Sequence, residues 1–273
     1  MFSTLIDPGA SGVGVAFTDR QGGVSDAGLG PLNLGRTDAD DVEHVRANFA
    51  LVGARLGVSR FVTLHQVHGA DVRVVDEAFL DDWGPSHHLG EPGGAPSLPV
   101  ADALVTALPG VALVVRVADC VPVLLADRTS GVVGAAHAGR AGLSAGVLTT
   151  TYASMVGLGA TDVEAWIGPH ICGDCYEVPQ AMLDDIARDH PSARAETSWG
   201  TPAIDLGAAC ATQLDALGVR VHRVDPCTRT TPTLHSFRRD AALAGRSVGI
   251  IWRVSPEQCS ENRGHSGNLT LIQ

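Results

Sequence analysis

The chain contains no lysine: all 19 basic side chains among its 273 residues are arginine. That absence excludes Schiff-base chemistry on a lysine, a pyridoxal-phosphate anchor and a Walker A phosphate loop. Any phosphate bound here must be held by guanidinium groups, backbone amides or a metal ion. No run of 18 or more apolar residues exists, and Met1 to Asp7 show no basic segment ahead of an apolar stretch. Neither a membrane span nor a secretory signal is expected, and a cytoplasmic location is. The formal net charge of −11 argues against nucleic acid as a partner, because phosphate-backbone binding needs a basic face. An acidic chain can still hold a local arginine pocket for a small anion. Cysteine is sparse and scattered (Cys120, Cys172, Cys175, Cys210, Cys227, Cys259), which argues for a reducing compartment and against a disulfide framework.

What is present reads as mixed α/β. Runs rich in Val and Ile, bounded by Gly, Pro or Asp, predict strands at 14–17, 61–67, 72–75, 111–117, 122–126, 132–136, 163–167, 219–224 and 247–252. Helical periodicity predicts helices at 41–56, 144–156, 179–188 and 206–217. Pro179 suits a first helical turn, Asp205 an N-cap and Gly218 the position just past a C-terminus. The Gly/Pro-rich stretch 81–99 reads as a surface excursion whose pair His87-His88 is solvated. No internal repeat or domain boundary is visible. Residues 1–254 are expected to form one catalytic domain and the polar, aperiodic 255–273 a loosely attached tail.

Three residues far apart in sequence could close on one metal: His68, Cys120 and His137, separated by 52 and 17 positions. Two imidazoles and a thiolate suit zinc, and three protein ligands leave a fourth position open, as catalytic sites do. Taken singly, each has the ordinary reading of a buried or hydrogen-bonded core residue. Their surroundings are more specific. QVHG (66–69), ADALVT (101–106), ADCVPVLLAD (118–127) and AAHAGRAGL (135–143) follow in order. Then come IGPHICGDCYEV (167–178), Asp205-Leu206, Cys227-Thr228 and SFRRD (236–240).

From about Asn33 to Trp252 this series resembles the bacterial laccase-domain, or polyphenol-oxidase-like, family. That family is also called peptidoglycan editing factor and is related to zinc-dependent purine nucleoside phosphorylases. The resemblance implies a layered α/β/β/α single domain with mixed sheets and zinc on His68, Cys120 and His137; copper could substitute, because it outcompetes zinc at most such sites. It implies a purine nucleoside and phosphate as substrates, phosphorolysis of adenosine or inosine, and side activities on methylthioadenosine and in adenosine deamination. Two positions depart from the family pattern. HAGRAG (137–142) stands where HAGWRG is usual, and Asn48-Phe49 where Asn-Arg is usual.

Other roles follow from these placements. If 61–68 is a strand, His68 shares a face with Gln66 while His65 points away, leaving His65 to packing or a supporting role. Asp119 is expected either to orient a ligand imidazole or take a proton, or else to cap a turn. Catalytic candidates are Asp119, Cys120 and Glu177; substrate-side candidates are Arg239, Arg238, Arg140, Gln66 and Cys175. Of the SFRRD pair, Arg239 is expected to hold phosphate, with Arg238 solvated or structural. Cys172-Gly173-Asp174-Cys175 could alternatively serve redox chemistry or, with His170, a second metal.

Two other activities compete. One is a hydrolase of cell-wall precursors, such as a muramyl-nucleotide amino acid bond, with Cys120 as nucleophile or zinc as catalyst. A thiolate cannot readily be metal ligand and free nucleophile at once. The other is a copper polyphenol oxidase. Multicopper oxidases need repeated H-x-H pairs, and this chain has none. The deaminase H-x-E motif is also missing, with Gly139 where its glutamate would stand.

Overall fold

The Val- and Ile-rich runs pair into two sheets. The computed structural model describes residues 1–254 except 27, 38, 85–86 and 91–97, so the tail expected from Ser255 lies outside the described residues. The first sheet has the order β1 (Phe2–Ile6), β2 (Val13–Thr18), β13 (Ser247–Arg253), β6 (Ala112–Val117) and β3 (Phe61–Val62). The second has β12 (Arg220–Arg223), β9 (Glu164–Ile167), β7 (Val121–Ala126), β8 (Val133–Ala138), β5 (Ala103–Thr106) and β4 (Val72–Val74). A separate pair joins β10 (Arg194–Glu196) to β11 (Pro202–Ile204). Both large sheets are mixed: β3–β6, β4–β5 and β9–β12 are parallel, and the other pairs are antiparallel.

Side-chain alternation sorts these strands into layers. Val248, Ile250 and Trp252 of β13 and Ala112 and Val114 of β6 pack against Val45, Phe49 and Val52 of α1 (Val42–Leu56). Their alternates Ile251, Leu113 and Val115 turn inward and meet Leu124 and Ala126 of β7 and Val133 and Ala135 of β8. The opposite face of the second sheet (Val121, Val123, Leu125) is covered by α4 (Val147–Gly157), α5 (Gln180–Asp189) and α6 (Leu206–Ala216). The layering is helix, sheet, sheet, helix. Central strands apolar on both faces explain why the sequence shows continuous Val/Ile runs rather than clean alternation of polarity.

Several boundaries differ from the sequence reading. Strands β1, β5, β10 and β11 were not anticipated. The run 61–67 keeps only two paired strand residues before it leaves the sheet. The expected helix 144–156 is instead α3 (Arg140–Ser144) followed by α4, because Gly146 at φ +88° interrupts it. Pro179 is the cap of α5 rather than part of its first turn. Asp205 does cap α6, accepting from the Ala208 N–H at 2.8 Å, and Gly218 follows in the left-handed conformation. Two short helices, α2 (Glu77–Asp81) and α7 (Phe237–Asp240), complete the set. His88 is buried rather than solvated: its ring packs edge-on against Phe49 and lies beside Phe61.

Two connections place the site. Strand β3 runs parallel to β6, so both leave the first sheet at the same end. Residues 63–71 then cross to β4, and 118–120 cross to β7, in the second sheet. The crossings meet where β7 begins beside the end of β8, with Pro122 paired to His137 and Val121 to Ala138.

The gap between the sheets leaves no spare volume at Gly168, where a Cβ would overlap the buried Phe17 ring. Gly168→Ala should therefore destabilise the protein by about 1–3 kcal/mol through overpacking, read as a lower denaturation midpoint at unchanged slope. A midpoint equal to wild type would show that the sheets separate freely there.

Candidate metal centre and adjoining cavity

At the meeting point of the crossings stands a buried carboxylate, Asp102, at the entry to β5. Its oxygens accept from the backbone N–H groups of Val67 (3.1 Å), His68 (2.9 Å) and Gly69 (2.7 Å), and from His137 Nδ1 (2.8 Å). Burial alone would raise its pKa. The hydrogen bonds from His137, Gly69 and Val67 outweigh that and hold the carboxyl below its ordinary range. An ionised Asp102 fixes the proton on His137 Nδ1 and leaves Nε2 as the ligand atom, the usual way a carboxylate orients a metal-binding imidazole.

The ligand atoms of His68, Cys120 and His137 lie within 4.8 Å of one another. His68 Nε2 is 3.7 Å from Cys120 Sγ, and the two imidazoles meet edge to face at 4.8 Å between centroids. Burial opposes ionisation of the Cys120 thiol, but His137 and His68 beside it bring its pKa down to about 6. Burial likewise opposes a charged His137, yet Asp102 and Cys120 raise it to about 9. A thiolate close to two imidazoles fits a divalent, thiol-tolerant ion, and the donor set suits zinc or copper.

Close approach has a backbone cost. His68 (φ +62°) and Asp119 (φ +87°) both occupy the left-handed region, which disfavours residues with a side chain by roughly 1–2 kcal/mol each. The Asp102 bonds hold the first. For Asp119, Oδ1 accepts from Thr228 Oγ1 and Oδ2 from the Arg238 N–H, both at 2.6 Å, while its carbonyl accepts from the Ile171 N–H. Gly139 lies against the pair: a Cβ there would come within 2.6 Å of the His68 ring and 3.2 Å of Cys120 Sγ.

A cavity of about 750 Å³ opens from these ligands. Arg36, Arg116, Arg238 and Arg246 line it, together with Tyr176 and Phe237. Arg116 donates to the carbonyls of Leu34, Leu64 and His88, and burial with the neighbouring Arg36 charge lowers its pKa to about 10. Arg246 is held through the Ala244 and Gly245 carbonyls. Among the described residues, neither Arg116, Arg238 nor Arg246 is ion-paired with a carboxylate.

Several expectations are corrected. Asp102, not Asp119, orients the imidazole; Asp119 lines the cavity with both oxygens engaged. Arg239 does not line the cavity: it forks onto Asp240 at 2.9 and 2.8 Å and donates to the carbonyls of Thr228 and Leu234. Arg238 is the one that does, its guanidinium 5.1 Å from the Tyr176 ring centroid. Residues 237–240 form a helical turn capped by Ser236, which sets the two arginines in these different directions. Arg140 heads α3 and is not in the lining, although its charge reaches Tyr176. Glu177 directs its carboxylate to the Trp199 indole. Gln66 lines the cavity, but its amide both donates to and accepts from the Arg116 backbone. Cys175 is buried, beside the half-buried Cys172 and Cys227, outside the lining. His65 reaches the cavity after all, because the chain leaves extended geometry between it and His68. Asp102, Arg116 and Arg246 were missed; an isolated acid opening the apolar run 103–105 was the available signal for the first.

A two-histidine, one-cysteine cluster thus stands at the seam of the two sheets. The chain belongs to the multi-copper polyphenol oxidoreductase laccase family, whose model matches residues 14–254. It is 47% identical over 247 residues to a purine nucleoside phosphorylase of Streptomyces coelicolor, covering 89% of this chain and 96% of that one. It is 43% identical over 243 residues to a purine nucleoside phosphorylase of Mycobacterium bovis, covering 86% and 90%. The fold matches a crystal structure of a Neisseria meningitidis protein at TM-score 0.76 and 34% identity, covering 93% of this chain and 99% of that one. It also matches YlmD of Geobacillus stearothermophilus at TM-score 0.75 and 29% identity, covering 89% and 93%. No helix among the described residues is long and apolar enough to cross a membrane.

Two outcomes are expected. Asp102→Asn should weaken metal binding by about 10–100-fold in chelator competition, since the His137 tautomer loses its fixed acceptor; unchanged affinity would remove Asp102 from that role. In metal-free protein, alkylation at Cys120 should rise with pH to a plateau with a midpoint near 6, because the thiolate reacts and its pKa is depressed to about 6. A rate still climbing between pH 8 and 9 would mean the imidazoles do not stabilise the thiolate.

Proposed function

We propose that the protein is a zinc-dependent purine nucleoside phosphorylase acting on adenosine or inosine. The observation that carries this reading is the juxtaposition of an open three-ligand cluster with arginines that have no carboxylate partner among the described residues. Both face one cavity of nucleoside size. The printed names of the Streptomyces and Mycobacterium relatives support it.

His68, Cys120 and His137 would hold the zinc, which when bound supplies a Lewis-acidic charge at the inner end of the cavity. Arg238, Arg246 and Arg116 would bind the phosphate, replacing the lysine this sequence lacks with guanidinium hydrogen bonds. The Tyr176 and Phe237 rings offer faces for a purine. Asp119 keeps Arg238 seated by accepting from its backbone N–H at 2.6 Å. Adenosine deamination as a side activity would fall to Asp119, since Glu177 faces Trp199 instead of the cavity.

With adenosine or inosine, free base and ribose 1-phosphate should appear only when phosphate is supplied. Arg246→Ala should raise the KM for phosphate by about 10–100-fold, the value of one or two charge-assisted hydrogen bonds. Arg239→Ala should instead lower thermal stability. Base release without phosphate, or turnover confined to a muramyl-nucleotide amide, would replace phosphorolysis with hydrolysis.

A further inference from the structure

A second group of ligand atoms lies behind the cavity wall. Cys172 and Cys175 occupy the turn between β9 and α5, and Cys227 the segment after β12. Their three Sγ atoms lie within 4.8 Å of one another. The Cys175 and Tyr176 N–H groups both bond to the Cys172 carbonyl, at 3.0 Å, folding the C-x-x-C into a turn that brings its sulfurs together. The Cys172 N–H points at Cys227 Sγ from 3.4 Å. His170, the partner expected from the sequence, is turned away: its Nδ1 meets the Gly168 carbonyl, and its Nε2 faces Asp225 at 4.0 Å. Cys227, 52 positions beyond Cys175 in a different loop, takes its place.

We propose that Cys172, Cys175 and Cys227 form a second metal site, separate from His68, Cys120 and His137, which binds copper(I) through three sulfurs. The donor chemistry selects the ion. Among the described residues no imidazole or carboxylate joins the three sulfurs, and an all-thiolate set favours soft ions. Structural zinc completes four protein ligands, which this cluster does not offer. Binding replaces each remaining S–H proton with a copper–sulfur bond, so protons are released and no electrons are exchanged. The resulting negative charge has a neighbour to offset it. Arg229 donates to the Cys175 carbonyl at 3.4 Å while stacking over Trp199. Burial disfavours a thiolate at Cys227, but the Cys172 and Thr230 N–H groups bring its pKa down to about 7, so one ligand ionises readily.

The placement has a consequence for the cavity. Tyr176, adjoining Cys175, lines it, and Thr228, adjoining Cys227, anchors Asp119. A copper ion on the three sulfurs would clip those two wall segments together.

The test is copper(I) titration of reduced, zinc-loaded full-length protein against a chromogenic copper(I) chelator. Wild type should take up one copper(I) per chain without releasing zinc, as should a Cys210→Ser control. Cys227→Ser and Cys172→Ser should each lose that equivalent while keeping zinc and the wild-type circular dichroism spectrum. Copper uptake that expels zinc, or that persists in both serine variants, would overturn the proposal. So would the absence of uptake by wild type. The readout does not depend on nucleoside turnover, so it can fail or succeed independently of the phosphorylase reading.

Discussion

The site depends on one buried negative charge. A carboxylate removed from water costs several kcal/mol unless it is fully hydrogen-bonded, and Asp102 meets that condition with four donors. Three of those donors are successive N–H groups, which can converge on one carboxylate only if the chain curls at His68. The left-handed conformation of His68 and the orientation of its ring thus share a cause. The fourth donor is the other imidazole. One acidic side chain therefore aligns both histidines, and Cys120 is carried to them by the neighbouring crossing between the sheets.

That arrangement sets a local field opposite in sign to the molecule's. The chain carries a net −11, yet four arginines line the cavity. The acid among them, Asp119, is occupied by the Thr228 hydroxyl and the Arg238 N–H. Positive charge accumulates because backbone carbonyls hold Arg116 and Arg246. Carbonyls orient a guanidinium without neutralising it, whereas carboxylates would cancel its field. Arg239, which has a carboxylate, is structural, and Arg238, which has none among the described residues, faces the cavity.

The candidate trio of His68, Cys120 and His137, the mixed α/β class and most strands were legible in the sequence, because residue type and apolar runs report local chemistry. The substrate side was not. In the SFRRD segment Ser236 caps a helical turn, and that turn decides which arginine faces inward. His65 and His68 were separated by a strand periodicity that ends after Val62. Asp102 stayed hidden inside a matched motif because an acid opening an apolar run looks like a boundary. Only the crossing from β3 to β4 brings three backbone N–H groups to it.

Sequence by itself determined the candidate ligand set, the reliance on arginine and the Val/Ile runs that form most strands, since each follows from side-chain identity and short-range pattern. Tertiary structure decided which histidine is oriented by which acid, which arginines remain without a counter-ion, and that Cys227 joins Cys172 and Cys175. Those are contacts between residues from 28 to 82 positions apart. Their geometry depends on where two sheets meet, a relation that no local pattern encodes.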